Sequence, residues 1–299
     1  METVTTNKYA VVTGSNKGIG FETVRQLASK GITVVLTARD ENKGLEAVEK
    51  LKASGLYHNL VLFHKLDVTD PPTILSLAQF IKTQFGKLDI LVNNAGITSF
   101  QIDKDAFQAS GYRVTKGDDE MDWSKIITQD YESSTKCLRT NYYGTKQTCE
   151  ALLPLLQLSD SPRMVNVSSY ASALKGLPEK AKQVLEDVEN LTEERIEMVL
   201  NDYLKDYEEG EAGNRGWCRF SSGYGLSKAA VNAYTRVLAK RYPKMNVNCV
   251  CPGFVKTDIN FHSGILTVEE GAESPVRLAL LPDGGPTGRF FSCKEEAPF

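Results

Sequence analysis

Tyr224 and Lys228 stand four residues apart in the run Tyr-Gly-Leu-Ser-Lys, and the stretch that follows, Ala229 to Lys240, reads as helix. On a helix, residues i and i+4 share one face. A lysine held beside a phenol stabilises phenolate, because a nearby positive charge favours the anion. An unperturbed tyrosine titrates near pH ~10 and shuttles protons poorly at neutral pH, whereas one with a cation beside it can act as general acid or base. The pair alone carries little weight, since Tyr and Lys meet at this spacing on many helices. A second motif upstream changes that.

Gly14-Ser15-Asn16-Lys17-Gly18-Ile19-Gly20 falls between a β-rich run, Tyr9 to Thr13, and a helical one, Gly20 to Lys30. Gly14 suits a sharp turn, Gly18 removes a Cβ where a pyrophosphate would approach, and Gly20 suits close packing of helix on strand. The helix N-terminus adds backbone N–H donors and partial positive charge. The spacing differs from Gly-x-Gly-x-x-Gly, and taken alone it also fits a glycine-rich turn with no ligand. A dinucleotide on this loop would bring its adenosine ribose to the end of the second strand, Ile32 to Thr37. An acidic residue there grips a free 2′-hydroxyl, whereas an arginine suits a 2′-phosphate. Arg39, helped by Lys17, argues for NADPH, although Asp40 follows at once and both cations also fit an ordinary solvated surface.

The elements that must position these groups are legible as an alternation. Further strands are expected at Leu60–Leu66, Leu88–Asn93, Arg163–Ser169 and Asn246–Cys251, with a last edge strand at Gly288–Ser292. Helices are expected at Glu41–Ala53, Pro72–Phe85, Ser133–Leu158, Tyr224–Arg241 and Thr267–Leu280. Nearly continuous apolar strands between amphipathic helices imply a doubly wound parallel α/β sheet covered on both faces, the Rossmann arrangement. Two stretches break the rhythm, 98–130 and 170–223, and both read as insertions into one domain spanning 1–299. The 299 residues, 41% hydrophobic, can bury a sizeable core. A net charge of −3 without a basic tract argues against nucleic acid or an anionic membrane as the main partner. No signal-peptide core and no window of ~18 apolar residues is visible. Six scattered cysteines and three histidines suggest reduced thiols in the cytoplasm and no metal site.

Together these residues resemble the short-chain dehydrogenase/reductase family. The resemblance rests on Thr13-Gly14-x-x-x-Gly18-Ile19-Gly20, Asp67-Val68, Asn93-Asn94-Ala95-Gly96, Asn141, Ser169, Tyr224-x-x-x-Lys228 and Pro252-Gly253, in that order, and covers the chain from Tyr9 to about Ser292. Phe85 to Gly96 and Cys249 to Thr257 are similar to the family's plant branch of salutaridine- and menthone-reducing enzymes and aldehyde reductases. The resemblance implies that Asp67 and Val68 contact the adenine and that Asn94, Ala95 and Gly96 form the cofactor floor. It gives Pro252, Gly253, Val255 and Thr257 the nicotinamide end, and makes Asn141 the anchor of a water linked to Lys228.

The implied reaction is hydride transfer from NADPH to a ketone or aldehyde, with Ser169 and Tyr224 on the carbonyl oxygen. Lys228 would lower the Tyr224 pKa and bind the nicotinamide ribose. The substrate is expected to be apolar: a monoterpenoid or alkaloid ketone, or a reactive aldehyde. Leu174, Leu177, Trp217 and Phe220 in the second insertion could line a lid. That insertion would cover the face through which many family members associate, so a monomer is expected. An NADP-dependent alcohol dehydrogenase working oxidatively and a non-catalytic NADP-binding regulator are the alternatives.

Overall fold

In the computed structural model, residues 7–53, 55, 59–102, 126–217 and 222–299 are described. The first insertion's acidic run at 117–120, Cys218 and Phe220 therefore lie outside the described residues. One mostly parallel sheet carries eight strands in the order β10 (Glu295–Ala297), β9 (Phe290–Ser292), β8 (Asn246–Cys251), β7 (Arg163–Val167), β4 (Ile90–Asn93), β1 (Tyr9–Val12), β2 (Thr33–Ala38), β3 (Val61–Lys65), and β5 (Gln101–Ile102) and β6 (Ile127–Thr128) pair separately. The strands that matter most for the site are β1, β2, β4, β7 and β8. Val, Ile and Leu dominate them, and nearly every residue of β1, β4, β7 and β8 is buried, as a sheet covered on both faces requires.

Chain order reverses direction between β1 and β4, which are neighbours in the sheet. The crevice above their C-terminal ends is the switch point where an open α/β sheet binds ligands. One face is covered by α1 (Gly18–Ala28), α2 (Glu41–Ala53) and the helix Val268–Ala279; their apolar side chains pack on Ala10, Val12, Val34 and Leu36. The other face is covered by α3 (Pro71–Phe85), the segment Tyr131–Leu156 and the helix Ser222–Arg241, over Val11, Val35, Leu91 and Met164. That last helix is seated by a buried chain: Asn93 Nδ2 donates to Asn166 Oδ1 (2.8 Å), and Asn166 Nδ2 donates to Thr235 Oγ1 (2.8 Å). Buried polar groups of this kind hold register because each would be costly unpaired.

Two expectations are corrected. The helix read as continuous over Ser133–Leu158 is α-helical at Tyr131–Leu138 and Gly144–Leu156, with a π-helical turn at Arg139–Tyr143 between them. Asn141 sits in that turn, and such turns recur at functional sites. The strand Gly288–Ser292 is shorter, Phe290–Ser292, and is not the edge: Cys293, at φ 53°, turns the chain into an antiparallel strand, Glu295–Ala297. Its alternation is too brief and too acidic to read as a strand. The second insertion forms two short helical turns and the helices Glu179–Glu186 and Glu193–Glu208; the second begins at Thr192, whose Oγ1 accepts from the Arg195 N–H (3.3 Å).

The described part of the insertion is built into the fold. Helix Glu193–Glu208 lies along Tyr131–Leu138 and Ser222–Arg241. Lys146 meets Glu193 (3.2 Å) and Glu197 (3.4 Å), and Arg241 meets Glu193 (2.8 Å). Leu174 and Trp217 are buried in the main core and Leu177 packs on it, so these three are core residues and not a lid lining.

Candidate active site

Thr13 ends β1 and organises the crevice. Its Oγ1 accepts from the backbone N–H of Asn94 (2.9 Å) and Ala95 (3.0 Å), tying the β1 loop to the β4 loop. Asn94 answers with its side chain, donating to the carbonyls of Thr13 (2.9 Å) and Gly14 (3.0 Å). Gly14 and Gly18 take φ of 60° and 58°, the left-handed region that glycine occupies without strain. A Cβ on Gly20 would stand 2.4 Å from Asn94 Nδ2, so the close approach of helix and loop requires glycine there.

A cavity of about 760 Å³ opens over this loop, within the usual size of a ligand site. Of the residues expected to bind cofactor, Gly14, Asn16, Lys17, Gly18, Ile19, Gly20, Arg39, Val68, Asn94, Ala95 and Gly96 line it. So do Tyr224, Lys228, Pro252, Gly253, Val255 and Thr257. Two others do not. Ser15 is buried, donating to Val12 O (2.7 Å) and accepting from the Thr37 N–H (3.0 Å); it clips β1 to β2. Asp67 stands behind Leu66 and Val68, its Oδ1 taking the Thr69 N–H (2.9 Å) and Oγ1 (2.7 Å) in a local turn.

The cavity fits a phosphorylated dinucleotide. Lys17 begins α1 without a side-chain cap, which leaves the first amides of the helix open to an anion. At the second-strand end, Asp40 Oδ1 accepts from the Lys43 N–H (3.1 Å) and so caps α2. Arg39 beside it is exposed and, among the described residues, makes no ion pair or hydrogen bond. Lys17, expected to assist Arg39, instead pairs with Asp258 (2.5 Å) across the cavity mouth.

The catalytic candidates converge at the other end. A Cβ added to Gly96 would lie 3.3 Å from both Asn141 Oδ1 and Lys228 Nζ, which shows how closely the three meet. Asn141 is engaged through both polar side-chain atoms: Oδ1 accepts from the Ile97 N–H (2.9 Å), and Nδ2 donates to Ile97 O (2.9 Å) and Ser227 Oγ (2.9 Å). These bonds fix the side chain between Ile97 and Ser227 and leave Oδ1 with a second acceptor site. Ser169 lines the cavity where β7 ends, near enough to Tyr224 to favour its phenolate; its Oγ accepts from the Ala171 N–H (3.2 Å). Ser168 also lines the cavity, and its buried hydroxyl has no partner among the described residues.

Lys228 is 5% exposed; Nζ donates to Val167 O (2.8 Å) and sits 5.9 Å from the Tyr224 ring centroid. Burial pushes Lys228 down to about 8 and Tyr224 up to about 12, Ser169 pulling the latter back only in part. Desolvation dominates the phenol in this structure, and Lys228, whose ammonium is aimed at the Val167 carbonyl, is not among the groups that shift it.

Residues missed by the sequence reading complete the wall. Ile97, Phe100, Phe254, Ile259 and Phe261 add large apolar side chains to the cavity lining. Their only signal was large apolar side chains in loops, at Phe254 directly after Pro252-Gly253. Thr13 was visible in the motif but not recognised as its organiser.

Because Lys228 titrates lower in the fold than in the unfolded chain, the unfolded chain binds more protons between about pH 8 and 10.5. Stability referred to this group must rise with pH over that window, by up to about 3 kcal/mol. Denaturant unfolding of wild type and Lys228→Met is expected to show the wild type gaining relative to the variant from pH 8 upward; parallel curves would refute the buried ammonium.

Comparison with known proteins agrees with this geometry. (+)-Neomenthol dehydrogenase from Arabidopsis thaliana is 58% identical over 98% of this chain and 99% of its own. The solved structure of salutaridine reductase from Papaver somniferum superposes with a TM-score of 0.90 at 54% identity, covering 96% of this chain and 99% of that one. Carbonyl reductase [NADPH] 1 from Rattus norvegicus is 38% identical over 97% of this chain and 98% of its own. The family described as short chain dehydrogenase matches residues 8–182 and 210–264. With the glycine loop, the Tyr224/Lys228 pair and these matches in agreement, the chain belongs to the short-chain dehydrogenase/reductase family and is an oxidoreductase acting on CH–OH or C=O groups.

Proposed function

We propose that this protein is an NADPH-dependent carbonyl reductase that converts an apolar ketone or aldehyde to the alcohol. The observation that carries the reading is that Ser169, Tyr224 and Lys228 line the same cavity as the glycine loop. NADPH, when bound, supplies the hydride from its nicotinamide. Ser169 and Tyr224 hold the carbonyl oxygen, and Tyr224 gives up its proton as charge develops there. A phenol kept protonated by burial is a competent donor to that oxygen. Lys228 supplies positive charge behind the ring and is replenished along the Asn141 turn. A phenol at position 224, rather than a carboxyl, favours C=O over C=C reduction.

The coenzyme assignment rests on Arg39, which has no partner among the described residues, against Asp40, which is occupied as a helix cap. The name of the rat relative supports it. Ile97, Phe100, Phe254 and Phe261 favour a bulky apolar substrate. The relatives named for neomenthol and salutaridine support a monoterpenoid or alkaloid ketone, with reactive aldehydes as the remaining class. We place the protein in the cytoplasm as one domain, with 98–130 and 170–223 as insertions. It works as a monomer, because helix Glu193–Glu208 already covers Tyr131–Leu138 and Ser222–Arg241. Among the described residues no helix is long and apolar enough to cross a membrane.

Three measurements test this. Tyr224→Phe should leave NADPH binding within about twofold of wild type and cut turnover of a cyclic ketone by at least about a hundredfold; normal turnover would overturn the mechanism. Arg39→Ala should weaken NADPH about 10- to 100-fold while leaving NADH unchanged, since it removes a charge-assisted contact to one phosphate. Equal losses for both coenzymes would refute the assignment. Sedimentation velocity should show one species of a single chain's mass, and a stable dimer would contradict the covered face.

A further inference from the structure

The first turn of the helix that carries Tyr224 is gripped by a buried polar hub whose members come from both insertions. Tyr203, on helix Glu193–Glu208, is fully buried. Its hydroxyl lies 3.0 Å from Ser222 Oγ and 3.2 Å from Ser134 Oγ, and accepts from Gln129 Nε2 (3.0 Å). Gln129 Nε2 also donates to Ser222 Oγ (3.0 Å), and Gln129 Oε1 accepts from Ser99 Oγ (3.4 Å). Ser99 Oγ in turn accepts from the backbone N–H of Tyr224 itself (2.9 Å). This N–H is one of the first four in the helix, which have no partner within it. A side chain far away in sequence therefore caps the helix at the residue that does the chemistry.

Packing leaves that turn no slack. A Cβ on Gly223 would stand 3.0 Å from Ser99 Cβ and 3.2 Å from the Tyr203 hydroxyl, and one on Gly225 would stand 2.8 Å from Ala171 O. Glycine at both positions lets the turn sit against the hub on one side and the Ser169–Ser172 backbone on the other. The Tyr203 ring is itself fixed, its centroid 5.1 Å from that of Trp217, whose Nε1 donates to Asp206 (2.8 Å). Burial holds the Tyr203 phenol above its ordinary range, so it remains a neutral hydrogen-bonding group.

We propose that Tyr203 is a positioning residue for the reaction: through Ser222, Gln129 and Ser99 it sets the first turn of the catalytic helix and thereby the distance of Tyr224 from Ser169. The second insertion is thus a brace for the proton donor. The proposal rests on Tyr224 being that donor. It assigns the insertion a role in turnover separate from coenzyme binding, since none of the hub residues Tyr203, Gln129, Ser99, Ser134 and Ser222 lines the dinucleotide cavity.

Tyr203→Phe removes only the hydroxyl, and Gln129 can still reach Ser222 and Ser99. The full-length variant, measured well below its unfolding temperature, should lose about tenfold in kcat, with KM and NADPH Kd within about twofold of wild type, because a small misplacement of a reacting group is costly. Ser99→Ala, which cuts the same link at its other end, should behave alike, and the double variant should lose no more than either single one. Should Tyr203→Phe not fold, Ser99→Ala reads the same link. A kcat within twofold of wild type in the variants that fold, or an equal loss of kcat and coenzyme affinity, would overturn the proposal. Tyr224→Phe assayed alongside separates the two claims: an active Tyr224→Phe defeats the proton-donor reading, whereas an inactive one beside an unaffected Tyr203→Phe defeats only the brace.

Discussion

Desolvation of Tyr224 and Lys228 together is the constraint on which the rest of the site depends. Water would hold both in their ordinary states, a neutral phenol and a charged ammonium, and would also compete for any carbonyl oxygen. Packed at the C-terminal edge of the sheet, each is driven toward its uncharged form. The two groups are therefore poised to respond to charge that arrives with a ligand. Neither can be placed by local sequence alone. The helix supplies their spacing, β7 supplies Ser169 and the Val167 carbonyl for Lys228, and the Asn141 turn closes the back.

The fold meets these demands by dividing the cavity into two ends with different chemistry. At the glycine loop the walls are backbone amides, held open by Thr13 and Asn94. At the reacting end Ile97, hydrogen-bonded to Asn141, and Phe100, next to the Ser99 that accepts from the Tyr224 N–H, line the wall. An anion is favoured at the first by uncapped helix N–H groups. A bound dinucleotide is thereby oriented before any side chain recognises its particular atoms. The segments that break the βαβ alternation also contribute: the described parts of 98–130 supply Thr98 and Phe100 to the cavity wall, and Ser99 and Gln129 to the brace behind it.

Much of this was legible in the sequence because the motifs sit at strand ends, where a reader expects loops to carry ligands. Apolar runs marked the parallel strands, and β8 and α2 fell at their expected limits. The Arg39-Asp40 ambiguity could not be resolved in one dimension; it took the capping bond from Lys43 to show which residue is committed elsewhere. The π-helical turn had no signal, since Arg-Thr-Asn-Tyr-Tyr suits an α-helix equally and only packing shifts its register. The hub is the clearest case of information lost in sequence. Ser99, Gln129, Tyr203 and Ser222 are uncharged polar residues in insertions without period, and only folding shows that they share one buried point. Trp217 and Leu174 misled for the related reason that apolar residues of an insertion can serve the core as readily as a pocket.

The most direct test of the account is a crystal structure of the protein with NADP⁺. It expects the 2′-phosphate against Arg39, the pyrophosphate on the amides that open α1, and the nicotinamide C4 about 3–4 Å from where a carbonyl held by Ser169 and Tyr224 would sit. A nicotinamide lodged away from Tyr224, or an adenosine end turned from Arg39, would contradict it.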